Sequence, residues 1–285
     1  MVKNKYNYLR FEDLGYTVIC YLFNPPSHTL TSTGMLEIHT FLDEMEEKKE
    51  LRVLAFTGDG EDVFIKHYEV GELAETAEKN LNKSLSKAAI SKQLAQSSEL
   101  HAFHKMLLRL RKLPAIVVAG INGNTAGGGC EFSLGCDLRV MADGNYLIGL
   151  PETSVGILPG GGGTQRLSRL IGSSRALDLI LHGELLTAKR AFELGIVNKL
   201  LPKVSFLQGL KSYCDSLSER APLALREVKH AIHAGMDLPL EDALFVEQTA
   251  FNRTMNSKDA AKAMRTMLDK EEEIDLVSII EWEGE

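Results

Sequence analysis

The 285-residue sequence has little cysteine, a single tryptophan and no long hydrophobic run. Its four cysteines lack CxxC spacing and no Cys/His ligand pattern accompanies them, so we expect buried, reduced thiols and no metal site. The longest apolar stretches, such as AIVVAGI, are far shorter than a bilayer span. The first residues, MVKNKYNYLRFEDLG, lack the apolar core of a secretory signal. These absences predict a cytoplasmic protein that does not bind membranes.

The sequence also lacks a basic face. Lysine and arginine total 32 against 39 acidic residues, which gives a net charge of -7, and no Lys/Arg run occurs. Since nucleic-acid binding relies on clustered positive charge, we expect no nucleic-acid partner. The sequence does have 44% hydrophobic and 25% charged residues, which is typical of a globular protein with a sizeable core.

Short apolar segments alternate with helical patterns in the first two thirds of the chain. Buried strands are predicted at residues 15–23, 51–58 and 114–123, and helices at residues 35–49 and 101–112. Alternation of this kind predicts an α/β fold.

From about residue 203 the pattern becomes almost entirely helical. We therefore predict a core over residues 1–200 and a C-terminal helical region over residues 201–285. Residues 74–96 are rich in Lys, Ser, Ala and Glu with weak periodicity, and they predict an exposed or partly mobile helical insertion.

Three consecutive glycines, Gly127 to Gly129, are followed by Cys130 and Glu131 at the start of an apolar, helix-like segment. The Lys-Ser/Thr pair of a phosphate-binding P-loop is missing, and the G-x-G-x-x-G spacing is not met. A glycine-lined helix start can instead expose backbone N–H groups to an oxyanion, with Glu131 beside them. The same glutamate could serve only as a helix cap. From this run alone, both interpretations stay open.

A second glycine-rich stretch, GLPETSVGILPGGGGTQRL at residues 149–167, places Glu152 directly after Pro151. A Pro-Glu pair alone is typical of a turn with a solvated acid. Two acids that each lie beside a glycine-built loop fit a site in which two carboxylates hold one water molecule. Such pairs have pKa values that are split, so that one acid acts as base and the other as acid.

These blocks, NGNTAGGGCEFSLGCDLRVMAD and LPETSVGILPGGGGTQRLSRLIG, resemble the signature of the enoyl-CoA hydratase/isomerase (crotonase) superfamily. The stretches VLAFTGDGEDVF, GSSRALDLILHGELLTAKRAFELGIVNKLLP and SERAPLALREVKHAI agree with it, so the similarity spans roughly residues 15–270. The resemblance implies a crotonase-like spiral of ββα turns. It also implies a C-terminal helical region that packs homotrimers, often paired into hexamers.

The resemblance assigns roles by position in the motif. Gly128 is implied to donate an oxyanion-hole N–H with Gly127 next to the substrate, and Glu131 and Glu152 are implied to be the catalytic acids. In family hydratases both acids hold the water that adds across the enoyl double bond, whereas family isomerases usually keep only the acid at the position of Glu152. Retention of both favours a hydratase, which is a lyase, and its chemistry implies no cofactor beyond the CoA of the thioester substrate.

One segment departs from the family pattern. The second oxyanion donor normally comes from F-x-x-G-A-D-[LI]-x-E-L, which here reads FIKHYEVGEL at residues 64–73. Tyr68 replaces the alanine, but its backbone N–H survives the change, so Tyr68 remains the predicted donor and could narrow the acyl channel. His67 replaces the preceding glycine and is a candidate substrate-binding or acid/base residue, although a loop histidine is more often structural.

Basic residues that often meet CoA phosphates in the family are largely missing here, except for Lys270. Because each lost phosphate contact weakens CoA binding, an acyl-carrier-protein thioester is a second predicted substrate class. The leading hypothesis is hydration of a 2-enoyl-CoA. The alternatives are isomerisation, decarboxylation or dehydration of a carrier-bound substrate, or a binding protein without catalysis.

Overall fold

The computed structural model describes residues 5–82, 99–270 and 281–284. The strands are β1 (Leu9–Asp13), β2 (Thr17–Leu22), β3 (Val53–Gly58), β4 (Ile116–Ile121), β5 (Thr125–Ala126), β6 (Leu138–Asp143), β7 (Leu147–Gly149), β8 (Leu185–Thr187) and β9 (Lys199–Pro202). The helices are α1 (Ser32–Glu47), α2 (Val70–Asn82), α3 (Ala102–Lys112), α4 (Gly128–Gly135), α5 (Gly163–Ile171), α6 (Ser173–His182), α7 (Ala188–Glu193), α8 (Phe206–Ser218), α9 (Pro222–Gly235), α10 (Leu240–Met255) and α11 (Lys258–Lys270). Two short 3₁₀ turns cover Glu152–Val155 and Lys203–Ser205.

The larger sheet has the strand order β1-β2-β3-β4-β6-β9 over the described residues. Its strands pair in parallel from β2 to β9, and only β1 is antiparallel to its neighbour. Every residue of β2, β3 and β4 is buried, which explains why these strands are continuous apolar runs in the sequence. The predicted α/β fold is therefore confirmed.

A smaller sheet has the order β5-β7-β8 over the described residues, and its strands are interleaved along the chain with β6 and β9 of the larger sheet. Strand β4 ends at Ile121, and a loop then leads through β5 into α4. The neighbouring strand β7 pairs with β5 in parallel and leads to the turn that begins at Glu152. This small sheet therefore brings the two glycine-rich stretches side by side.

Helix α1 and strand β1 differ from the sequence-based prediction, and each difference has a local cause. Helix α1 begins at Ser32 rather than residue 35 because the Thr31 hydroxyl caps it, accepting the Gly34 N–H at 3.0 Å. Strand β1 gives no apolar run because Leu9 alone is fully buried in it, as suits an edge strand. The four cysteines are buried and unpaired, as expected.

The C-terminal region is helical, as predicted, and its helices begin near prolines, with Pro222 opening α9 and Pro239 preceding α10. The division between residues 1–200 and 201–285 stays a prediction. Helix α2 covers the first part of the predicted insertion at residues 74–96, and residues 83–96 lie outside the described part of the chain.

Candidate active site

The altered segment FIKHYEVGEL holds the Tyr68 backbone in a fixed direction. Tyr68 forms a parallel bridge with Leu30, in which the Leu30 N–H donates to the His67 carbonyl at 2.9 Å and the Glu69 N–H donates to the Leu30 carbonyl at 2.9 Å. In a parallel bridge of this pattern, the N–H of the central residue points away from the partner strand. The Tyr68 N–H therefore faces the glycine run.

At each of the three glycines, a side chain is disfavoured for a different steric reason. Gly127 has φ of 49°, a left-handed conformation that side chains disfavour. A Cβ on Gly128 would lie 2.8 Å from the Tyr68 Cβ and 3.1 Å from the Tyr68 nitrogen. A Cβ on Gly129 would overlap the Ile65 carbonyl oxygen. Only bare backbone can bring the start of α4 this close to Tyr68.

The N–H groups of Gly128 and Tyr68 form a candidate oxyanion hole. Gly128 is the first residue of α4, so its N–H has no partner within the helix and lies at the positive end of the helix dipole. Neither N–H donates to another of the described residues. Two close N–H donors at a helix start can stabilise a negative charge that develops on a thioester oxygen.

Glu131 lies in the first turn of α4 and is 3% exposed. Its Oε1 accepts the Gly161 N–H at 2.7 Å and the Gly163 N–H at 2.8 Å. Burial raises the pKa of Glu131, and these two backbone donors oppose that shift by favouring the carboxylate. The side chain is turned toward the second glycine stretch and accepts hydrogen bonds from that loop.

Glu152 begins the 3₁₀ turn after Pro151, and its Oε1 lies 3.1 Å from where a Cβ on Gly127 would be. Its Oε2 is buried without a hydrogen-bond partner among the described residues. Burial, together with the negative charge of Glu131, raises the pKa of Glu152 to about 7. A buried carboxyl of this kind can hold and release a proton near neutral pH.

His67 and Tyr68, also predicted for the site, have hydrogen-bond partners of their own. The Nδ1 of His67 is 2.7 Å from the Tyr68 carbonyl oxygen, so that nitrogen carries a proton and the ring is held against its own loop. The Tyr68 hydroxyl donates to Glu72 at 2.7 Å, and burial followed by this bond raises its pKa. Lys270 ends α11, and its side chain lies outside the described part of the chain.

The structure adds residues that the sequence analysis did not assign. Gly161 and Gly163 supply the N–H groups that hold Glu131. Phe103 packs on Gly161 so closely that a Cβ there would overlap its ring and lie 2.6 Å from Oε2 of Glu131. The PGGGG run is a signal for such close backbone approach, but its partners come from α3 and α4, far away in the sequence.

A family model described as enoyl-CoA hydratase/isomerase matches residues 16–273. The chain belongs to the enoyl-CoA hydratase/isomerase family. It is 30% identical over 269 residues to the short-chain-enoyl-CoA hydratase of Clostridium acetobutylicum, an alignment that covers 93% of this chain and 95% of that protein. It is 29% identical to the crotonyl-CoA hydratase of Syntrophomonas wolfei, with 88% and 91% of the two chains covered.

Solved structures of this family agree. The crystal structure of an enoyl-CoA hydratase from Bacillus anthracis is 27% identical and has a TM-score of 0.81, with 98% of this chain and 100% of that chain covered. The crotonase-like fold with C-terminal helices is thereby confirmed, and the protein is an enzyme of the enoyl-CoA hydratase/isomerase family. The roles of single residues stay predictions.

Two further observations concern the predictions that the protein has no membrane span and no metal site. No helix in the described part of the chain has the length and apolar character to cross a bilayer. Among residues 5–82, 99–270 and 281–284, no three His, Cys, Asp or Glu side chains group as metal ligands. The lack of a cofactor and the cytoplasmic location stay predictions.

Proposed function

We propose that this family member adds water across the double bond of a short 2-enoyl-CoA. The observation that carries the proposal is the pairing of Glu131, held by two N–H donors, with Glu152, whose buried Oε2 has no partner among the described residues. Glu131 lies in the first turn of the helix that begins at Gly128, and Oε1 of Glu152 lies 3.1 Å from where a Cβ on Gly127 would be. CoA is the proposed carrier because the similar proteins are named for CoA esters.

The two acids take different roles because their surroundings differ. Glu131, stabilised as a carboxylate by two N–H groups, removes a proton from water. The oxygen attacks C3 of the enoyl group, and the electron pair of the double bond moves toward the thioester oxygen, which the Gly128 and Tyr68 N–H groups stabilise. Glu152, with a pKa of about 7, then gives its proton to C2. This chemistry implies no cofactor beyond the substrate's CoA.

The direct test is the loss of enoyl-thioester absorbance when purified protein meets crotonyl-CoA, with crotonyl-pantetheine run in parallel. The proposal predicts turnover of the CoA ester and slower turnover of the pantetheine ester, because the nucleotide adds binding energy. Equal turnover of the two esters would point to a carrier-bound substrate. Turnover of neither would contradict hydration of short enoyl thioesters.

Tyr68 is expected to limit the length of the acyl group. Its ring lies 6.4 Å from that of buried Phe103, and Phe103 packs against Gly161 beside Glu131, so the two rings form a wall near the reacting carbons. Tyr68→Ala should raise kcat/KM for 2-decenoyl-CoA relative to crotonyl-CoA by about 10-fold, a change typical of an enlarged apolar pocket. The backbone N–H is retained in this variant.

Tyr68→Phe is the matched control, since it keeps the ring and loses only the bond to Glu72. It should keep the wild-type ratio of the two substrates. An unchanged ratio in Tyr68→Ala would show that another part of the pocket limits the chain length.

We propose further that the C-terminal helices pack against other copies in a trimer or hexamer. Helix α10 exposes Leu240 (76%), Phe245 (62%) and Phe251 (59%), an apolar surface that a monomer in water would be expected to bury. Sedimentation velocity should give a mass of three or six chains, and Phe245→Glu should lower it. Val204→Glu, at a 96% exposed position outside these helices, should not. A single-chain mass for the unaltered protein would contradict the proposal.

A further inference from the structure

The glycine loop whose N–H groups hold Glu131 also has an outer side, on which its carbonyl groups contact His101 and Arg166. The Nε2 of His101, just before α3, lies 3.0 Å from the Gly160 carbonyl oxygen. Because a carbonyl only accepts hydrogen bonds, this ring nitrogen must carry a proton. The Nη1 of Arg166, in α5, donates to the next carbonyl, that of Gly161, at 3.2 Å.

Each of these carbonyls shares a planar peptide group with an N–H that faces Glu131. The Gly160 carbonyl belongs to the same peptide as the Gly161 N–H, which donates to Glu131 at 2.7 Å. The Gly161 carbonyl belongs to the same peptide as the Gly162 N–H, which also lowers the pKa of Glu131. A donor on the carbonyl side of a peptide polarises it, and its N–H then becomes a stronger donor.

The charge on the outer side of the loop also lowers the pKa of Glu131. The positive charge of Arg166 lowers the pKa of Glu131, and the carboxylate opposes the fall that burial causes in the pKa of Arg166. His104, from α3, stacks on His101 at 3.9 Å between ring centroids. Burial, then the nearby His101 and Arg166, lower the pKa of His104, and a hydrogen bond to the Gly161 backbone opposes this shift. The negative charge of Glu131 in turn raises the pKa of Glu152, on the inner side.

We propose that His101 and Arg166 are positioning residues for Glu131, acting through the two peptide groups between Gly160 and Gly162. This inference rests on the proposed function, in which Glu131 is the base that activates water. Neither side chain reaches the reacting atoms. They keep the loop's N–H groups aimed and polarised, so that a carboxyl that is 3% exposed stays ionised and able to take a proton.

The test compares two variants at His101, an exposed residue whose replacement does not disturb the core. His101→Phe keeps a ring to stack on His104 and removes the donor to Gly160, whereas His101→Gln restores a donor. In His101→Phe, the acid limb of the pH profile of kcat/KM for crotonyl-CoA should move up by about half a unit to one unit. The KM should change less than twofold, and His101→Gln should return the limb toward the wild-type position.

Arg166→Met should move the same limb further in the same direction, because it removes a charge as well as a donor. The proposal is overturned if the acid limb of His101→Phe coincides with that of the wild type. It is also overturned if His101→Gln shifts the limb as far as His101→Phe does, because the effect would then come from the loop's packing.

A readout without turnover separates this inference from the proposed function. Protein labelled with ¹³C at the glutamate carboxyl carbons can be titrated by NMR, with the Glu131 signal assigned by its loss in Glu131→Gln. The pKa of Glu131 should be higher in His101→Phe than in the unaltered protein, whether or not crotonyl-CoA is hydrated. If the shift appears without hydratase activity, only the proposed function fails, and if activity appears without the shift, only the positioning role fails.

Discussion

Glu131→Gln and Glu152→Gln should each lower kcat/KM for the hydration of crotonyl-CoA by about 10³-fold, within the range typical of lost general acid or base catalysis. A glutamine at position 131 can still accept the Gly161 and Gly163 N–H groups but cannot take a proton from water. A glutamine at position 152 cannot give a proton to C2. The measurement is initial-rate kinetics from the absorbance of the enoyl thioester, with Glu193→Gln, at an exposed position on α7, as the control.

The pH profile of kcat/KM should show that the enzyme is active when Glu131 and Glu152 together carry one proton. Glu152 has its pKa raised to about 7, so it is protonated below that pH and loses its proton as the pH rises through it. Because hydration needs Glu152 protonated and Glu131 ionised, kcat/KM should fall on the alkaline side of about 7 and again in acid, where Glu131 also takes up a proton. Hydration and dehydration should follow the same profile, since the reaction releases no net proton.

The two variants also separate hydration from isomerisation. An isomerase of this family is expected to depend on the acid at position 152 alone. If Glu131→Gln keeps full activity on any enoyl-CoA while Glu152→Gln loses it, the hydratase proposal is wrong and isomerisation is favoured. If both variants keep wild-type rates, the two carboxylates are not the catalytic pair.

Lys229→Met should lower the free energy of unfolding by about 3 kcal/mol, at the low end of the cost of breaking a buried ion pair. The low end is expected because Asp137, the partner of Lys229, keeps its contact with His233 Nε2 at 2.7 Å and still accepts the Val117 N–H at 2.7 Å. Lys229 lies in α9 and is 6% exposed. Its Nζ contacts Asp137 Oδ2 at 2.7 Å and donates to the carbonyls of Leu110 at 2.9 Å and Ala115 at 2.8 Å. The ammonium therefore ties α9 to the end of α3 and to the segment just before β4.

Urea unfolding of the variants measures this effect. Lys79→Met is the matched control, because its ion pair with Glu75 in α2 has both side chains 71% exposed and should contribute less than about 1 kcal/mol. Adding Asp137→Asn to Lys229→Met removes the carboxylate charge that has lost its ammonium partner and should recover part of the loss. A loss for Lys229→Met no larger than that for Lys79→Met would show that the buried pair does not stabilise the fold.

The sequence indicated the elements whose pattern is strong and local. The buried strands β2, β3 and β4 are continuous apolar runs, and the C-terminal helices α8 to α11 have clear apolar periodicity with prolines near two of their starts. Edge strand β1 could not be predicted from an apolar pattern, because Leu9 is its one buried residue and the polar residues of the strand resemble those of a loop.

The amino-acid sequence identifies the residues that are candidates for the chemistry. Three bare glycines, Glu131 and Glu152 are chemical identities, and their spacing places each acid beside a helix or turn start. What the tertiary structure decided is how these groups act on one another. Gly128 approaches Tyr68, and Glu131 accepts the N–H groups of Gly161 and Gly163, although these residues are far apart in the chain. The burial that raises the pKa of Glu152 also depends on residues far apart in the chain. Such effects depend on distance and burial in space, which local patterns in a sequence do not contain.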